Sequence, residues 1–160
     1  LRGINNLFLS IDLLNKHPYI LCQERNNRMK NKIFELYKDK SLTEFLEFKR
    51  DNPKENFVYV LQHPPANINI LSASNFGYLV ICLAYFDQVA FNAAPFVFKM
   101  RKNLKDFTKQ DYILLTGDPA VIGISCAIAS DMTNGQFNLL KWDRREFKYY
   151  PIEFDLYQKG

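Results

Sequence analysis

The stretch that most limits the fold is Tyr112–Asp143, YILLTGDPAVIGISCAIASDMTNGQFNLLKWD, because its punctuation leaves little choice of local structure. Asp111 to Thr116 has no polar alternation, the mark of a strand covered on both faces. A Gly117-Asp118-Pro119 turn follows, in which Asp118 suits a helix cap and Pro119 the first helical position, where a missing N–H costs nothing. Asn134-Gly135 suits a left-handed closure of that helix, and Phe137–Trp142 is the next strand. Strand, helix and strand at these lengths predict a βαβ unit with a right-handed crossover. The helix over 119–133 is apolar almost all round, so it is expected to be sandwiched between layers, with Gly123 marking the close approach of a neighbouring backbone.

The same alternation extends on both sides. Val89–Phe91 reads as a short strand, Pro95 opens a helix, and Val97, Met100, Leu104 and Phe107 recur along one face of it. Strands 89–91, 112–116 and 137–142 are then expected as parallel neighbours. Phe147–Leu156 returns as a strand with Tyr150, Ile152, Phe154 and Leu156 on one side, and Pro151 places it at a sheet edge. Upstream, Phe57–Gln62 is a strand ended by His63-Pro64-Pro65, Ile68–Ser72 is a further short strand, and Tyr78–Phe86 fits strand and buried helix equally. The predicted class is α/β: a small three-layer sandwich with a mixed, mainly parallel sheet and a C-terminal β-hairpin, preceded by an α-helical N-terminal segment. The division expected is a helical extension over 1–56 and an α/β domain over 57–160. Within the extension, helical spacing runs over Met29–Asp39, the capping-box pattern Ser41-Leu-Thr-Glu44 opens a second helix, and 51–56 is a linker.

Composition narrows the class further. A chain of 160 residues with 48% hydrophobic and 24% charged residues is globular and holds one domain with an appendage. The net charge of +4 is too small to predict nucleic-acid binding without a clustered basic face. Cys22, Cys82 and Cys126 are odd in number, far apart and set among apolar neighbours, which predicts reduced thiols in a cytoplasmic compartment rather than disulfides or a zinc site. No run of 18 apolar residues occurs, so neither a membrane span nor a membrane partner is expected. The chain opens on Leu1, which suggests a truncated or processed start.

Ligands in such a sheet gather beyond the carboxyl ends of the strands. Asn92, Asp118 and Asp143 each follow a predicted strand, and with Gly117 and the free amides of the helix start they form a candidate site for a phosphate-bearing ligand or Mg²⁺. No other cofactor is expected, and Asp118 and Asp143 would be the metal ligands. The same residues also have purely structural roles, Asp118 as a cap and Asp143 in a turn. The glycine spacing of a dinucleotide fingerprint is missing, and so is the Gly-Lys-Ser/Thr of a P-loop. His17 and His63 lack a partnered nucleophile or metal-ligand spacing. Lys102 and Lys105 on one helix, with Arg144 and Arg145 beside Trp142, form a candidate nucleic-acid surface, although solvated helix and hairpin faces explain both clusters without a ligand, and that is the favoured reading.

With LLTGDPAVIGISCAIASD followed by FNLLKWDRREFKYYPIEFDL, and HPPANINILSA before them, the chain resembles a group of small tailed-phage proteins, notably marine ones, over about residues 57–156. The resemblance implies a phage protein in the host-cell cytoplasm and brings no activity with it. Three functions are consistent with these residues. The first is a binding or accessory protein acting through protein contact or self-association at its sheet edge or the Trp142–Tyr150 hairpin. The others are a Mg²⁺- or nucleotide-dependent enzyme at the strand ends, and a nucleic-acid-binding protein.

Overall fold

The computed structural model describes residues 32–160 other than Ala90, and this span forms one compact unit. Its centre is two strands that are apolar in sequence because both of their faces are covered. These are β2 (Phe57–Gln62) and β3 (Tyr78–Leu83), in which every residue is buried. Around them a six-stranded sheet runs in the order β1-β3-β2-β4-β5-β6, where β1 is Ile33–Glu35, β4 Tyr112–Leu114, β5 Gln136–Asp143 and β6 Lys148–Asp155. The first five strands are parallel, and β6 pairs antiparallel with β5 as the C-terminal hairpin.

Three helices join the parallel strands: α1 (Ser41–Asp51), α2 (Ala94–Asn103) and α3 (Pro119–Met132). Each belongs to a connection that steps the same way along the sheet, and each packs on the same face: Phe45, Met100 and Val121 share a core with Phe57, Tyr59 and Leu61. Only β2 to β3 steps back. That connection carries a 3-10 helix, Leu71–Asn75, whose Ala73 packs on the other face with Val58 and Val60. One hand for every crossover requires this arrangement, since reversing the step moves the connection to the opposite side. The layers are therefore three helices, the sheet, and a thinner cover of loop and 3-10 turn.

Much of the expected α/β pattern is present. Asp118 caps α3, its Oδ1 accepting from Ala120 N at 2.7 Å, and such a cap contributes about 1 kcal/mol. Asn134 (φ 53) and Gly135 (φ 77) close the helix in left-handed conformation. On α2 and the turn after it, Met100, Leu104 and Phe107 point into the core.

Several local readings are corrected. Met29–Asp39 is not helical in its described part. Ile33–Glu35 is a strand paired with Leu79–Ile81, and Leu36 N donates to Ile81 O at 2.8 Å. Phe34 and Leu36 are buried two residues apart, so a strand position on the sheet overrides helical spacing. The sheet thus reaches N-terminal of residue 57. α1 begins at Ser41 after Lys40 (φ 63), with no side-chain cap bond, so the capping box is not formed. Val89 and Phe91 lie in a loop, and the neighbours of β4 are β2 and β5. Ile68–Ser72 is not a strand, and the 3-10 turn takes its end. α3 is not sandwiched. Val121, Ser125, Ile128 and Ala129 face the sheet, while Ala120, Gly123 and Ala127 are exposed and no atom would meet a Cβ on Gly123 within 4 Å. A helix whose outward positions are Gly and Ala reads as apolar all round without burying that side. Cys22 and His17 lie outside the described residues.

Candidate functional site

At the carboxyl edge of the sheet, the chain leaves β2 toward one face and leaves β3 and β4 toward the other. The gaps beside β2 are therefore the topological switch points where a ligand would enter. Gln62, the last residue of β2, fills them. Its Nε2 donates to the carbonyls of Ala84 (3.2 Å), Tyr85 (3.0 Å) and Asp87 (2.6 Å), and its Oε1 accepts from Asp118 N (3.0 Å). Thr116 completes the closure, its hydroxyl donating to Gln62 O at 3.0 Å. Gly117 (φ 103) is required on two counts: its backbone is left-handed, and a Cβ there would overlap the Gln62 amide oxygen and Cβ. One neutral side chain thus joins the exits of three strands, and the crevice holds protein.

The sequence-derived site residues meet this edge as follows. Asn92, Asp118 and Asp143 all lie there, but one side-chain oxygen of each already has a local donor. Asn92 Oδ1 accepts from Ala94 N at 3.0 Å, Asp118 Oδ1 from Ala120 N, and Asp143 Oδ1 from Arg145 N and Glu146 N at 2.8 and 3.2 Å. Those two amides hold the Asp143 carboxyl below the usual carboxylate range. β2 and β4 separate the ends of β3 and β5, which places them about 14 Å apart at normal strand spacing. Among the described residues no group of three or more His, Cys, Asp or Glu side chains is arranged to hold a metal ion. At the start of α3 the amides of Asp118 and Ala120 are bonded within the protein.

The basic residues are not brought together. α2 runs from the end of β3 back to the start of β4, so Lys102, near its end, and Lys105, just beyond, lie toward the amino edge of the sheet, Lys105 beside Arg50. Arg144 and Arg145 occupy the β5–β6 turn at the carboxyl edge.

On the thinly covered face, the same edge carries an open groove of about 650 Å³. Leu114 and Leu140 form its apolar floor, while Trp142 and Tyr149 stand edge to face at its side, ring centroids 4.9 Å apart. Asn67–Asn69 forms the opposite wall, tied across by Tyr149 OH donating to Asn69 O at 3.2 Å. Gly117 and Arg144 line it too, and none of its lining residues is acidic. Leu140 and Trp142 face the groove by strand alternation, which turns the side chain of the intervening Lys141 toward the helix face.

Two polar centres were not apparent from sequence. Gln62 is one. The other is at the amino edge, where buried Asp111 accepts from Phe57 N (3.0 Å), Thr108 N (2.9 Å), the Thr108 hydroxyl (3.1 Å) and Lys49 Nζ. Lys49 also reaches Tyr59 OH at 3.1 Å and lies over the Phe57 ring. Burial holds the Lys49 ammonium below the usual lysine range, Asp111 partly restoring it, and lifts the Tyr59 hydroxyl well above its own. No motif marks either centre, since apart from Thr108, three residues from Asp111, the side-chain partners of Gln62 and Asp111 lie 22 to 62 residues away in sequence.

A family model described as Phage Pam3 gp32-like protein matches residues 56–156. The chain belongs to that family. The family match bears out the phage resemblance and covers β2 through β6, including Gln62, Asp111 and the whole groove. No curated protein and no solved structure matches the chain.

Proposed function

We propose that this member of the phage family is a binding or accessory protein that works through protein contacts at the groove beside the β5–β6 hairpin, without catalysis, in the host-cell cytoplasm. The observation that carries this reading is the contrast at the carboxyl edge. Gln62 occupies the crevice where a catalytic site would form, whereas the groove beside it is open, has an apolar floor and has no acidic residue in its walls. Open apolar surface with an aromatic pair and an arginine has the composition of a protein-binding patch. Cys82 and Cys126 are free thiols, which suits a reducing compartment. Among the described residues, no helix is long and apolar enough to cross a membrane.

The test is a photo-crosslinking amino acid placed at Leu115 in the groove wall, compared with one at Lys38 on the far side of the sheet, in phage-infected cells. A discrete protein adduct at Leu115 and none at Lys38 is expected. Equal labelling at both positions, or none at Leu115, would refute the reading.

A further inference from the structure

The β5–β6 hairpin carries complementary surfaces at its two ends. At the turn end is the groove, with Arg144 in its wall and Arg145 next to it. Neither arginine makes an ion pair among the described residues, whereas Glu146 is paired with Lys148 and Asp143 caps the turn. At the open end, Glu153-Phe154-Asp155-Leu156-Tyr157 alternates acid and apolar residues. All five are exposed, Leu156 at 58% and Tyr157 at 77%, and Glu153 makes no hydrogen bond or ion pair among the described residues. Five residue steps along β6, from Lys148 beside the turn to Glu153, separate Arg144 from Glu153, about 17 Å at normal rise. A single molecule cannot bring them together, but two molecules can.

We propose that the groove receives the Glu153–Tyr157 segment of a second copy, Arg144 facing Glu153 and an apolar side chain of the segment resting on Leu114, Leu140 and Trp142. The proposal rests on the protein-contact reading above and names the partner. Because the two surfaces differ and lie at opposite ends of one hairpin, the contact is head to tail, and it propagates into a ring or a filament along the strand direction. Nucleic acid is the weaker occupant: it needs a track of cations, and Lys102 and Lys105 lie toward the other edge of the sheet. Pairing of two β6 edges is opposed by Pro151 in the middle of that strand.

The experiment is sedimentation velocity over a range of concentrations on the full chain and on Arg144→Glu, Glu153→Arg and the combined variant. The chain is expected to associate with rising concentration, each single reversal to weaken association about tenfold, and the combined variant to recover it. Both positions are exposed, and unchanged thermal midpoints check that the fold is intact. A chain that stays monomeric overturns the proposal. So does a loss confined to Glu153→Arg, which would mark β6 edge pairing, or a failure of the combined variant to recover. A monomeric chain that still gives a Leu115 adduct in cells would overturn only this proposal and leave the protein-contact reading standing.

Discussion

The two ends of the parallel strands are held by opposite kinds of chemistry. At the amino edge an ion pair, Lys49 with Asp111, ties the end of α1 to the starts of β2 and β4. At the carboxyl edge a neutral amide, Gln62, ties the exits of β2, β3 and β4. Both are buried and both bridge segments far apart in sequence. The buried ion pair therefore sits at the edge where α/β folds do not usually bind ligands, and the crevice at the edge where they do is closed by a side chain without acid–base chemistry. For this fold, burial of a perturbed lysine marks a structural joint.

Substitutions at the two edges test that contrast, starting from the one with the largest expected effect. Asp111→Ala removes the acceptor of four hydrogen bonds and leaves Lys49 buried without a counter-charge, so unfolding in urea is expected to show a loss of about 3–5 kcal/mol. Lys49→Met should lose less, about 1–2 kcal/mol, because Asp111 keeps its other donors. Equal losses would show that the charge pair itself, and not Asp111 as a hub, holds the amino edge. At the other edge, Gly117→Ala combines a left-handed backbone with overlap on Gln62, and a loss of about 2–3 kcal/mol is expected. Made in a Gln62→Gly background, which removes both the amide oxygen and the Cβ that the new methyl would meet, the same change should cost only about 1 kcal/mol of backbone strain. Additive costs in the double variant would mean that Gln62 does not close the crevice in solution. Gly123→Ala is the control for what is not fixed at that end. With no neighbour within 4 Å of its added Cβ, it should stabilise by about 0.5–1 kcal/mol, read as a raised thermal midpoint.

The elements legible in the sequence were those whose signals are local. Asp118, Pro119 and Asn134-Gly135 bracket α3 within the chain itself, so cap, first turn and closure all lie where the residues predict. β1 was missed because three residues carry no period of their own and gain strand structure only by pairing with Leu79–Ile81. The outward face of α3 was misread because alanine and glycine count as apolar whether or not anything covers them. The candidate site divides in the same way. That Asn92, Asp118 and Asp143 lie at one edge follows from strand order, but nothing local could show that Gln62, 56 residues before Asp118, would occupy the space between strand exits. The groove escaped notice because its floor, wall and rim come from four separate segments, although Trp142, Arg144 and Tyr149 stood close together in the hairpin.

The placement of Trp142 has an optical consequence. It is the chain's one tryptophan, half-buried at the groove and in contact with Tyr149. Its emission therefore comes entirely from this face of the sheet. Any occupant that displaces water from the ring will shift that light without a label, and a change deep among the helices will leave it nearly untouched.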